Sequence, residues 1–76
     1  MENIYLLTLI VISKSEIYKN ICISDSYYKI IEYCNKKYEG IQICNDEDVK
    51  ELKQSMSFGS KLLYIQMFNK QNNTII

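Results

Sequence analysis

The chain has 76 residues and a formal net charge of zero, from nine lysines and nine acidic residues. This length fits one domain with a marginal core, and the balanced charge gives no overall basic field for binding nucleic acid and no acidic surface that would mimic it. Histidine is absent, which removes the usual general acid–base residue near neutral pH and a common zinc ligand.

The first element is a nearly unbroken apolar run over residues 4–12. Its β-branched and aromatic side chains favour a strand, and a membrane-spanning helix would need about 20 residues. Glu2 stands where a signal peptide carries positive charge, and no small-residue cleavage pattern follows, so we favour a strand over a signal peptide. Both faces of this strand are apolar and require cover. One face carries Tyr5, Leu7, Leu9 and Val11, and the other carries Leu6, Thr8, Ile10 and Ile12.

A second strand and a helix are predicted next. The polar residues 13–16 form a short connection and residues 17–23 alternate in polarity, which predicts an antiparallel hairpin. Alternation puts Ile17, Ile21 and Ile23 on one face, and Tyr18, Asn20 and Cys22 on the other. The Ser-Asp-Ser segment at 24–26 is typical of a helix start, and Gly40 of a helix end. The apolar stripe of this helix comprises Tyr27, Ile30, Ile31, Cys34 and Tyr38.

The rest of the chain predicts a strand, a second helix and a last strand. Residues 41–44 form the strand, the acidic segment 45–48 begins a helix that Gly59 closes, and residues 62–68 form the last strand. Leu63, Ile65 and Met67 share one face of that strand. The sequence therefore predicts a single small α+β domain over residues 1–70, in ββαβαβ order, with about four mostly antiparallel strands and two helices packed on the sheet. Residues 71–76 are predicted to be a frayed C-terminal tail.

Two placements of the helices are open. If they lie on opposite faces of the sheet, the first strand is buried on both sides. If they share one face, the other face exposes an apolar patch that marks a partner site or a dimer interface. The second and last strands are only moderately apolar on their weaker faces, which favours the shared face. Leu6, Ile10, Tyr64 and Phe68 would then belong to a partner-binding surface.

The sequence contains no convincing catalytic, metal or cofactor site. Asp46, Glu47 and Asp48 could hold a hard cation, but their spacing fits the start of a helix better. Cys22, Cys34 and Cys44 have no histidine to activate them and no metal-binding spacing, so they are interpreted as small apolar residues of a reduced compartment. We expect a protein that is not an enzyme; a cysteine-dependent enzyme is the weakest alternative.

One side of the first helix is the other candidate surface. Tyr28 and Tyr33 lie off the core stripe, and exposed tyrosine is a common interface anchor. Lys29, Lys36 and Lys37 accompany Tyr33, a combination that also binds single-stranded nucleic acid. The simplest interpretation is a solvated helix face.

Half of the residues are isoleucine, lysine, asparagine, tyrosine or phenylalanine, while alanine, arginine and proline are absent, which indicates a very AT-rich coding sequence. We therefore expect a small non-enzymatic protein-interaction module from a virus, phage or mobile element, such as an anti-CRISPR protein that binds and blocks a host or defence protein. We expect the protein to be located in the cytoplasm, which would be the host cytoplasm for a viral protein, and we expect no membrane partner. It would bind another protein or a second copy of itself. The alternative is a small module that binds RNA or single-stranded nucleic acid through the Lys/Tyr helix face.

Overall fold

The structure is a computed structural model that describes residues 3–69, and it confirms the small α+β domain and the order of its elements. The predicted tail at 71–76 lies outside the described residues. The strands are β1 (Asn3–Val11), β2 (Ile17–Ser24), β3 (Gln42–Cys44) and β4 (Lys61–Asn69), and the helices are α1 (Tyr27–Lys37) and α2 (Val49–Ser55).

The four strands form one mixed sheet in the order β2-β1-β4-β3. The central strand β1 pairs antiparallel with β2 on one side and with β4 on the other, the latter over its full length. The short strand β3 pairs parallel with β4, as expected for two strands joined through a helix. The prediction of a mostly antiparallel sheet is confirmed.

The two helices lie on opposite faces of the sheet. On one face, Ile30 and Cys34 of α1 pack in a buried cluster with Leu7 of β1. On the other face, Val49 and Leu52 of α2 pack against a cluster that contains Ile10. The expectation that both helices share one face is therefore wrong, because β1 is apolar on both faces and needs cover on each.

A β-bulge divides β2 and changes which of its residues face α1. Leu7 pairs with Cys22 while Thr8 pairs with Asn20, so Ile21 is the extra residue. The predicted faces of Cys22 and Ile23 are wrong, because the bulge interrupts the two-residue alternation. Cys22 joins the cluster under α1, and the side chain of Ile23 lies on the α2 face with 65% of its surface exposed.

The helix boundaries follow local hydrogen bonds. Within the predicted Ser-Asp-Ser start of α1, Ser26 is the cap, since its hydroxyl accepts a hydrogen bond from the Lys29 amide at 3.3 Å. Helix α2 begins only at Val49, because the Asn45 side chain accepts from the amides of Glu47 and Asp48 and stabilises a turn there. Neither described helix is long and apolar enough to cross a membrane.

Candidate functional site

The α2 face of the sheet is covered at only one end, and the other end exposes an apolar patch. Leu6 of β1 pairs with Ile23 of β2, and Ile4 pairs with Phe68 of β4. We call these four residues the apolar patch. Leu6 and Ile4 are partly exposed, whereas Ile23 and Phe68 are 65% and 44% exposed. The patch is formed by three neighbouring strands and is therefore held on a rigid surface.

Two of the residues predicted for this surface lie elsewhere. Ile10 is fully buried beneath α2, so its predicted place on an exposed surface is corrected. Tyr64 is half-buried against the same cluster, and its hydroxyl donates a hydrogen bond to Asp46. Leu6 and Phe68 remain at the surface as predicted. Ile23 was missed because nothing in the sequence indicated the bulge that turns it to this face.

The lysine-rich side of α1 is exposed as predicted. Lys29, Lys36 and Lys37 are all exposed, and none of them forms an ion pair with the residues that the structure describes. Tyr33 is half-buried against the α1 cluster, and its ring packs edge-on against Tyr38 with 6.1 Å between the ring centroids. This packing limits how much of the Tyr33 ring could stack on a base.

Tyr28 does not share that surface. It is 82% exposed. At about 100° per residue, it lies roughly 140° around α1 from Tyr33. A flat partner surface cannot contact both tyrosines centrally, so the structure separates these two predicted contacts.

A groove lies on the α1 face of the sheet, beyond the end of β3. Its volume is about 410 Å³. Tyr5, Ile43, Ile65 and Met67 line its floor, with Tyr27 on one side and the turn at 45–48 on the other. The rings of Tyr5 and Tyr27 meet edge-to-face with 5.5 Å between centroids. We call this the β4 groove; it arises because β3 is short, which the sequence did not predict.

The acidic turn beside this groove does not bring three metal-ligating side chains of the described residues together. Asp46 accepts the hydrogen bond from Tyr64, and neither Glu47 nor Asp48 is paired with a lysine of the described residues. Among residues 3–69, the turn therefore carries negative charge that no lysine pairs with.

The three cysteines are free, and their surroundings disfavour the thiolate form. Burial raises the pKa of Cys22, Cys34 and Cys44, and the carboxylates of Asp48 and Asp46 raise that of Cys44 further. A nucleophilic cysteine requires the opposite shift.

We expect iodoacetamide at mildly alkaline pH to alkylate Cys34 and Cys44 at least about tenfold more slowly in the folded chain than in urea, because both thiols are buried and poorly ionised. Folding raises the pKa of these thiols, so the folded state favours their neutral form. The stability that this provides is complete below about pH 8.5 and is lost as the pH rises through the folded-state pKa. Mass spectrometry of time points measures each site. Alkylation of Cys34 at its unfolded rate would contradict the burial of this side chain.

No protein-family model, curated protein or solved structure matches this chain. The molecule offers three candidate binding surfaces, which are the apolar patch, the lysine-rich side of α1 and the β4 groove.

Proposed function

We propose that this protein is a non-enzymatic interaction module and that its apolar patch binds another protein. The observation that supports this is the uncovered half of the α2 face, where Ile23 and Phe68 expose large apolar side chains on so small a domain. A protein surface is a better partner than an anionic membrane, because Asp25 borders the patch beside Ile4 and Ile23.

The specific form that we propose is an inhibitor encoded by an AT-rich virus, phage or mobile element. Such an inhibitor needs only a small rigid domain that binds over a functional surface of a host or defence protein, as an anti-CRISPR protein does on a nuclease complex. Its compartment would be the host cytoplasm. The small size, the composition and the exposed patch support this form.

The test compares the full chain with two variants in lysate of the proposed host. The patch variant carries Ile23→Asp and Phe68→Asp. The matched control carries Ile17→Asp, since Ile17 is an isoleucine of the same strand that is 58% exposed but pairs with Val11 and so faces the α1 side. Quantitative cross-linking mass spectrometry identifies bound proteins and the residues that contact them. Circular dichroism and sedimentation velocity establish the folding and oligomeric state of each chain.

The proposal requires a protein that cross-links beside the patch, is retained by the wild type and the control, and is lost from the patch variant. Buried apolar anchors contribute about 2 kcal/mol or more each, so the double change should weaken binding by at least about a hundredfold. A partner retained equally by all three chains would refute the role of the patch. Association only with a second copy, or with no protein, would refute the proposed function.

The second candidate function is binding of single-stranded nucleic acid through α1. The supporting observation is that Lys29, Lys36 and Lys37 are exposed and unpaired within residues 3–69. Three phosphate contacts would give a salt slope of about −2 in log affinity against log salt concentration. Fluorescence anisotropy with labelled oligothymidine and oligouridine tests this. Failure to bind either one at low salt would exclude the candidate.

A further inference from the structure

Strand β4 extends well past its neighbour β3 and leaves an open edge. β3 pairs with β4 only at Leu62, Leu63 and Tyr64. Over 65–68, β4 pairs with β1 on one side and with no strand on the other, among the residues that the structure describes. Every second residue of such an edge directs its amide and carbonyl outward, where an added strand can bind them.

The β4 groove lies directly against this open edge. Ile65 and Met67 of β4 form part of its floor, and Met67 is 57% exposed. A strand added beside β4 would place every second side chain on the α1 face, against this apolar and aromatic floor. The open edge and the groove thus provide the two elements of strand addition, which are backbone hydrogen bonds and pockets for alternate side chains.

The charge of the groove selects the kind of strand. Asp46, Glu47 and Asp48 line it at the end where β3 stops, and no lysine of residues 3–69 lies within ion-pair distance of them. Burial is the main cause that raises the pKa of the neighbouring Cys44, and the carboxylates of Asp48 and Asp46 raise it further while Lys53 opposes them. A basic side chain of the added strand would meet these carboxylates at one end of the groove, and an apolar side chain of the same strand would pack against Tyr5 and Tyr27 on the other side.

We propose that the β4 groove binds an extended segment of a partner protein that carries lysine or arginine, and that this segment adds to β4 as a further strand. The exposed length of β4 over 65–68 is about 13 Å, enough to order a short segment. This site lies on the α1 face, opposite the apolar patch, so each proposal can fail without the other.

The test uses a displayed library of random peptides of about seven residues, long enough to cover the open edge. The library is selected on the immobilised full-length protein, and enriched peptides are titrated into the isotope-labelled chain. Two further chains are compared. One carries Glu47→Lys and Asp48→Lys at the groove, and the matched control carries Glu32→Lys on the exposed side of α1.

We expect the enriched peptides to contain lysine or arginine and to shift the amide resonances of 65–68 and 45–48. Their affinity for the groove variant should be about tenfold lower than for the wild type, and their affinity for the control should be unchanged. Absence of enrichment, peptides without a basic residue, or shifts confined to β2 would overturn the proposal. Nuclear Overhauser contacts between residues 70–76 and the groove in the free protein would also overturn it, because the chain itself would then be the occupant.

Discussion

Replacing either Leu7 or Ile10 by alanine should lower the free energy of unfolding by about 3 kcal/mol. Both side chains are fully buried, but Leu7 packs under α1 and Ile10 packs under α2. Each change removes methyl and methylene groups and leaves a cavity that the surrounding sheet and helix cannot fill. The total free energy of unfolding of a domain of this size is about 4 to 11 kcal/mol, so either loss would be a large fraction of it.

Urea unfolding followed by circular dichroism measures both variants, with Ile17→Ala as the control. Ile17 is more than half exposed at the start of β2, and its replacement should change the free energy by no more than about 0.5 kcal/mol. If Ile10→Ala cost as little as the control while Leu7→Ala cost the full amount, α2 would not cover its face of the sheet. If the Leu7→Ala and Ile10→Ala variants lose equal amounts of unfolding free energy, both faces of the sheet must be covered.

The elements with strong periodicity could be predicted from the sequence. The apolar run of β1 and the stripe through Ile30 and Cys34 each have one periodicity that dominates their length. The Ser26 cap was predictable because it depends on local chemistry between a side chain and the next turn. These features depend on contacts close in sequence, or on a face that must be buried wherever the chain goes.

The features that define the candidate sites depend on pairing between distant segments. The face of Ile23 changes because Ile21 is bulged opposite β1, and no residue type in β2 requires a bulge there. β3 ends where the turn at Asn45 begins, and its short length leaves the edge of β4 open. The placement of α2 opposite α1 determines that Ile10 is buried and that Leu6 is not. The sequence therefore showed that β1 needs cover on both faces, but it could not show which part of the α2 face of β1 stays exposed.

The amides of α2 should exchange with solvent at least about tenfold faster than those of α1, because α2 can open without unfolding the domain. Helix α2 has seven residues, none of them buried, and Asp48 at its start makes no side-chain capping bond. Helix α1 has eleven residues, is capped by Ser26 and buries Ile30 and Cys34. Hydrogen exchange followed by two-dimensional NMR measures both helices in one experiment.

One polar contact resists this opening. The Lys53 ammonium of α2 donates to the Glu16 carboxylate at 3.1 Å and to the Tyr18 hydroxyl at 2.7 Å, which connects α2 to the start of β2. Salt screens such a partly exposed pair, and Lys53→Met removes it, so both should speed exchange in α2 and leave α1 nearly unchanged. Equal protection of both helices would contradict independent opening. Where α2 does open, it uncovers Ile10 and Leu62 on the same face of the sheet as the apolar patch, so a partner that extends over this face would compete with α2 as well as with water.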